Sequence, residues 1–170
     1  MKQLVILACL CNLGAFSQEL PPKDENGMIT YSEMVQVPDF AKGLLYANAK
    51  TWFSTYYESS KVIQDEDELD GIINGSSLFP VYTEPGGDKR AGSLHYTIKL
   101  TIKEGRYQYA ISNLKHQDYT NSIGSGGKLE REEPLCGYKQ LKKIQWDGII
   151  QQAAAGVEEV IASLKKGMSY

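Results

Sequence analysis

Apolar residues occupy every second position from Leu94 to Ile102, and the positions between them are polar or basic. A period of two places successive side chains on opposite faces of a strand, so the pattern predicts a strand with one buried face. Glu104-Gly105 predicts a tight turn, after which the apolar positions resume at Tyr107. The segment therefore predicts an antiparallel hairpin that is covered on one side only. The open side of its first strand carries His95, Thr97, Lys99, Thr101 and Lys103.

Two other segments repeat apolar residues at steps of three and four, which is the period of an amphipathic helix. The first helix is predicted over residues 40–56 with Asp39 as its cap, and the second over residues 141–166. Their apolar faces are Phe40, Leu44, Leu45, Ala49, Trp52, Phe53 and Tyr56 in the first helix, and Leu141, Ile144, Ile149, Ile150, Ala153, Val157, Val160, Ile161 and Leu164 in the second.

The remaining segments complete the predicted fold. Strands are expected at residues 28–37, 62–64 and 72–82, with a solvated acidic turn at 65–70 and a long loop at 116–138. The order of elements is then β-α-β-β-β-β-α. This order predicts an α+β fold, in which an antiparallel curved sheet carries two helices on one face.

The amino-terminal segment has the pattern of a secretory signal peptide over residues 1–17. Lys2 precedes an apolar run, and the small residues Ala15 and Ser17 stand at the positions that a signal peptidase requires, so cleavage is predicted before Gln18. About ten apolar residues are too few to span a bilayer, which needs roughly twenty. Residues 1–17 forming a buried strand or short helix is the structural alternative.

A second processing route is open, because Ile6-Leu7-Ala8-Cys9 resembles a lipobox in which Cys9 is lipidated. The apolar centre before Cys9 is short for that route. Either way the chain is expected to be exported, periplasmic or secreted, or anchored as a lipoprotein through Cys9. Residues 18–27 are polar with two prolines and predict a flexible leader, followed by a single α+β domain over residues 28–170.

Charge and cysteine content exclude some classes of function. Removal of residues 1–17 takes away Lys2, so the remaining 153 residues carry 17 basic and 21 acidic side chains, a net charge of -4. Nucleic-acid binding needs a basic surface, so no nucleic-acid partner is expected. Cys136 is the one cysteine left, and we expect it to be a partly buried small apolar side chain rather than a nucleophile.

Several local segments resemble a known family. The chain is similar to the family called domain of unknown function 4468, which has a TATA-binding-protein-like (TBP-like) fold and occurs in secreted proteins of Bacteroidota. The resemblance covers residues 28 to 115 and implies the fold and the export of the chain, but no catalytic residues. The matching pieces are Val35-Gln36-Val37-Pro38, Leu44 to Phe53, Val62-Ile63-Gln64, Gly71 to Gly75, Lys103 to Tyr107 and Ile111-Ser112-Asn113.

The candidate metal and phosphate sites lack the ligand residues, or the spacing between them, that binding of these ions requires. The acidic run at 65–70 lacks the oxygen ligands, the glycine and the later glutamate of a calcium loop. The segment Gly124 to Lys128 lacks the first glycine and the hydroxyl residue of a phosphate-binding loop. His95 and His116 have no metal-ligand spacing, and His95 is expected to be exposed. We therefore expect no metal, cofactor or catalytic residues, and no enzyme.

The polar side of the predicted sheet remains as a binding surface. We expect a non-catalytic domain that binds a protein, peptide or envelope component through this face or through the loop at 116–138. Two alternatives are a carrier of small hydrophobic ligands, with a pocket between the second helix and the sheet, and an unrecognised hydrolase. The residues predicted on the face are His95, Lys99, Lys103, Arg106 and Gln108.

Overall fold

A six-stranded antiparallel sheet forms the centre of the computed structural model, which describes residues 21–119 and 123–169. The strands run in the order β1-β5-β4-β3-β2, and β6 pairs with β5 on the same edge as β1. The elements are β1 (Tyr31–Gln36), α1 (Lys42–Tyr56), a 3-10 turn (Ser60–Val62), β2 (Ile63–Asp67), β3 (Ile72–Tyr82), β4 (Arg90–Lys103), β5 (Arg106–Gln117), β6 (Gly127–Lys128) and α2 (Lys143–Gly167). The predicted α+β class and order of elements are confirmed. The predicted signal peptide at 1–17 lies outside the described residues.

Both helices pack on one face of the sheet, and two glycines of the interface let them approach closely. A Cβ atom at Gly75 of β3 would lie 2.7 Å from the Phe53 ring of α1. A Cβ atom at Gly156 of α2 would lie 2.4 Å from the Phe79 ring of β3. These distances are shorter than any van der Waals contact allows, so the layers are closely packed at both points. The core between them includes Leu45, Phe53, Ile73, Leu94, Ile98, Leu100, Ile102, Tyr107, Ile111, Trp146, Ile149, Val157 and Leu164.

The helices differ in detail from the predicted apolar stripes. Leu44 is 49% exposed and Ile144 is 78% exposed, so neither belongs to a buried face. Tyr46 and Trp146, which were not included in the stripes, are buried. A stripe inferred from spacing alone cannot decide between neighbouring apolar positions, because the helix rotation is set by packing against the sheet.

The predicted cap of α1 is wrong. Ala41 occupies the cap position without a side-chain hydrogen bond, and Asp39 lies outside the helix. The first free backbone N–H, that of Lys42, donates instead to the Glu104 carboxylate at 2.9 Å. Glu104 belongs to the β4–β5 turn, so the cap comes from a residue distant in sequence.

Two predicted loop boundaries also need correction. Residues 65–67 of the acidic run belong to β2 and pair with β3, so only its end is a turn. β5 continues to Gln117, so the predicted loop starts at Asp118 and contains the short strand β6. In the predicted leader, residues 24–27 form a turn in which the Gly27 N–H donates to the Asp24 carbonyl at 2.9 Å. The flexibility of the leader stays a prediction.

Candidate functional site

The face of the sheet turned away from α1 and α2, here called the open face, is covered by neither helix. Its cross-strand neighbours follow from the pairing register, which places Asn74, Lys99 and Ala110 in one line and Thr101 and Gln108 in the next. Alternation along β4 and β5 leaves polar side chains here and buries the apolar ones against the helices. The β4 and β5 part of the open face is therefore the polar surface that the hairpin pattern predicted, while Met34 of β1 and Leu78 of β3 add exposed apolar side chains to the same face.

Five exposed cations lie on β4, β5 and β6 of the open face and form what we call the basic strip. None of them makes an ion pair with any residue in ranges 21–119 and 123–169. The acidic side chains of Asp65 and Asp67 share the face but lie on β2, at the sheet edge. The basic strip consists of Lys99, Lys103, Arg106, Lys115 and Lys128.

The structure brings together the residues predicted for this face and adds two more. Lys99, Lys103, Arg106 and Gln108 are exposed on it. Lys128 was missed because it falls in the predicted loop at 116–138, and Lys115 was missed because it directly precedes that loop. The visible signal was the alternation from Leu114 to Gln117, which continues the strand beyond the predicted end.

The alternation of β5 changes phase at a β-bulge next to Asn113. Ile111 faces the helices, Ser112 and Asn113 both face outward, and Leu114 is again buried. Asn113 adopts a left-handed backbone with φ of 56° and donates from Nδ2 to Thr97 Oγ1 at 3.0 Å. A one-residue shift moves every later side chain to the opposite face. The bulge therefore places Lys115 on the open face and buries its neighbour in the chain.

His95 is half-buried rather than exposed, which corrects the prediction. The Tyr119 ring packs beside it at a tilt of 56°, and Tyr119 Oη is 2.7 Å from His95 Nε2. Burial, followed by the charge of Lys115, lowers the pKa of His95. His95 is therefore mainly neutral at pH 7 and acts as a hydrogen-bonding partner for Tyr119.

His116 is fully buried on the other face and joins the loop to the sheet. Its Nδ1 accepts a hydrogen bond from the Gly126 N–H at 2.9 Å, so the proton lies on Nε2, which donates to the Ala91 carbonyl at 2.6 Å. Burial lowers the pKa of His116. The Trp146 ring of α2 packs edge-on against it. His116 thus acts as a structural pin, and sequence alone gave no sign of it.

Asp118 organises the start of the same loop. Its Oδ2 accepts hydrogen bonds from the N–H groups of Ile123 at 2.9 Å and Gly124 at 3.1 Å. Cys136 is half-buried nearby, with its Sγ 3.8 Å from the Ile123 carbonyl oxygen, and burial raises the pKa of its thiol. A raised pKa keeps the thiol protonated, in line with the expected apolar role.

A groove in the helical layer lies between the two helices, whereas the carrier alternative placed its pocket between α2 and the sheet. It encloses about 600 Å³ and is open to solvent. Trp52 forms its floor, donating from Nε1 to Ser163 Oγ at 3.1 Å and stacking on Tyr56 with ring centroids 5.5 Å apart. By contrast, Gly156 meets Phe79 closely at the helix–sheet interface, where the predicted pocket was expected.

The described part of the chain has neither a cluster of metal ligands nor a membrane-spanning helix. Residues 21–119 and 123–169 contain no group of three or more His, Cys, Asp or Glu side chains arranged to hold a metal ion. Within the same ranges, neither helix is both long and apolar enough to cross a bilayer.

Comparisons with known proteins match this fold. The model of a family described as "Domain of unknown function (DUF4468) with TBP-like fold" matches residues 31–117. A TBP-like protein from Parabacteroides distasonis is 18% identical, with a TM-score of 0.65, over 88% of this chain and 97% of its own. A DUF4468 family protein from Bacteroides ovatus is 14% identical, with a TM-score of 0.60, over 91% of this chain and 92% of its own. No curated protein matches. At these identities the solved structures establish a common fold.

Proposed function

Because the chain belongs to the DUF4468 family with its TBP-like fold, and a fold alone does not fix a function, we propose a function from its open face. The protein is an exported, non-catalytic domain that binds a protein, peptide or envelope component through that face. Export rests on the signal-peptide pattern of residues 1–17.

One observation supports binding above all others. The five cations of the basic strip are exposed on a face without a helical cover, and no ion pair within the described residues neutralises them. A monomer gains little from such an arrangement, since like charges along one surface repel each other. A partner with complementary negative charge gains both a faster association and a defined register. The basic strip is thus the part of the molecule suited to a partner.

The charge of the whole chain argues for a partner other than nucleic acid. The chain after residue 17 has a net charge of -4, so the attraction of the strip is local and the rest of the surface repels a long polyanion. The likeness to TBP-like proteins is one of fold, so their binding properties are not carried over.

A charge-reversal experiment tests the proposal. The variant K99E/R106E reverses two charges of the basic strip, and K61E/K139E makes the same change in net charge at exposed positions outside it. Both are measured for binding to envelope extracts immobilised on a sensor surface, in 50 and 300 mM NaCl. We expect K99E/R106E to lose at least tenfold in binding and the control to match the parent chain. Equal binding by all three proteins would contradict the proposal.

A further inference from the structure

Three basic side chains form a row of cross-strand neighbours at one end of the open face. His95 of β4 is paired with Lys115 of β5, and Lys115 is paired with Lys128 of β6. We call them the basic row. Directly opposite residues in antiparallel strands have Cβ atoms about 5 Å apart, so the two ammonium groups can reach a common point above the sheet.

The basic row is unfavourable for the folded protein by itself. Like charges directly opposite each other destabilise a strand pair. No acidic side chain in residues 21–119 or 123–169 forms an ion pair with Lys115 or Lys128. β6 consists of Gly127 and Lys128, so the only side chain of this strand takes part in the repulsion. The bulge at Asn113 contributes to this repulsion, because it places Lys115 on the same face as Lys128.

A neutral donor completes the row. Tyr119 is 60% exposed, and its hydroxyl lies 2.7 Å from His95 Nε2. When His95 holds its proton on Nε2, that N–H donates to the Tyr119 oxygen and leaves the hydroxyl proton free for a ligand. The site then offers two ammonium groups and one hydroxyl.

We propose that the basic row and Tyr119 form a binding site for a phosphate monoester group, with Lys115 and Lys128 neutralising its charge and Tyr119 donating to one oxygen. A tetrahedral dianion matches two cations in charge and has enough oxygens for all three donors, whereas a carboxylate has one charge and two oxygens. The inference rests on the proposed function, since it names the chemical group that a partner presents to the open face.

The test measures inorganic phosphate binding by NMR titration of the protein obtained from the full 170-residue chain, with ionic strength held constant by NaCl. We expect saturable shifts of the amide signals of residues 95, 115, 119 and 128. K115A and K128A should each weaken the affinity about tenfold, and Y119F several-fold, because each removes one charge-assisted or hydroxyl hydrogen bond. K61A, which removes an exposed cation outside the basic strip, is the matched control and should bind phosphate normally.

Two further arms distinguish the sources and the alternatives. Binding to vesicles of phosphatidylcholine with phosphatidic acid is compared with binding to phosphatidylcholine alone. The comparison shows whether the site binds the phosphate group of a lipid headgroup or only phosphate that is free in solution. Acetate at the same ionic strength should produce no saturable shifts at the basic row. Equal responses to acetate and phosphate, or unchanged phosphate affinity in K115A and K128A, would overturn the proposal.

The thermal stability of K128A distinguishes a ligand-binding role of Lys128 from a structural one. Removal of one of two opposed cations should raise the melting temperature of K128A by about 1–3 °C. A clear fall in melting temperature would mean that Lys128 stabilises the fold, contrary to the proposal. If phosphate fails to bind while K99E/R106E still loses envelope binding, only the phosphate site is wrong. If both fail, the proposed function is wrong as well.

Discussion

Asn113 shows how one residue can determine which surface the protein presents. Its left-handed backbone, with φ of 56°, allows two outward side chains in succession and so reverses the phase of the rest of β5. Asparagine tolerates this conformation better than most residues, and its side chain also donates to Thr97. The orientation of Lys115 and His116 therefore depends on a backbone conformation two or three residues away.

Substitutions at Asn113 should separate the backbone effect from the lost hydrogen bond. Asn113→Gly and Asn113→Val both remove the bond to Thr97, but only valine is strained at this φ. We expect Asn113→Val to lower the free energy of unfolding by about 1–2 kcal/mol more than Asn113→Gly. Urea denaturation measures the difference. Equal stabilities would show that the left-handed conformation costs nothing here.

His116 should make stability depend on pH. Its pKa is lowered in the folded protein, so below about pH 6.5 the unfolded chain binds more protons than the folded one. Stability is complete above that pH and falls as the pH drops toward the folded pKa, by at most about 1.4 kcal/mol per pH unit. Burial lowers the pKa of His95 too, so it contributes in the same direction.

Urea unfolding between pH 7.5 and 5.5 tests this, with His95→Gln as the comparison that removes only the other histidine. In that variant the loss of stability should persist, and NMR should show His116 protonated on Nε2 alone at pH 7. Stability that stays constant across this interval in His95→Gln would contradict the assignment.

At the scale of elements, contacts between layers decide features that periodicity cannot supply. Helix α2 contains two interior glycines, Gly148 and Gly156, besides Gly167 at its last position, and each interior glycine weakens an isolated helix to the same degree. Only Gly156 lies against the sheet, where it meets the Phe79 ring, while a Cβ atom at Gly148 would have nothing within 4 Å. The same residue type therefore has a packing role in one turn of α2 and none in another.

Alanine at these two glycines gives a matched pair within one helix. Gly148→Ala should raise the free energy of unfolding by about 0.5–1 kcal/mol through helix propensity. Gly156→Ala should lower the free energy of unfolding by about 1 kcal/mol, because the cost of overpacking against Phe79 exceeds the gain in helix propensity. Thermal unfolding ranks the variants. A Gly156→Ala protein as stable as Gly148→Ala would mean that the Phe79 ring moves aside without loss.

At the scale of the whole molecule, the sequence predicted the architecture better than the surface. Alternation in β4 and the three-to-four spacing of the helices are properties of local sequence. They could therefore be recognised without the fold, and the predicted order of elements was confirmed. The capping of α1 by Glu104 and the pinning of the loop by His116 depend on residues brought together only by folding. The open face was therefore predicted up to the bulge, and the basic row beyond it was missed.

The proposed export concerns the whole chain, and the amino terminus of the mature protein is the measurement that tests it. After expression of the 170-residue chain in a bacterial host, mass spectrometry should find a protein that begins at Gln18. Cys9→Ser serves as the control, since it should leave that product unchanged. A product beginning at a lipidated Cys9 would establish the lipoprotein alternative, and retention of residues 1–17 would contradict export.

The pairing of β1 with β5 has a consequence for the time course of folding. Tyr31 is paired with Ile111, so the first strand has no place in the sheet until most of the chain has been synthesised. Closing such a long loop is slow compared with forming the β4–β5 hairpin, whose residues are adjacent. A nascent chain that completes its sheet late is still unfolded when a translocation machinery recognises its amino terminus, and an unfolded chain can pass through a narrow channel. The position of β1 in the sheet thus suits the export proposed for this protein, by delaying the last step of folding.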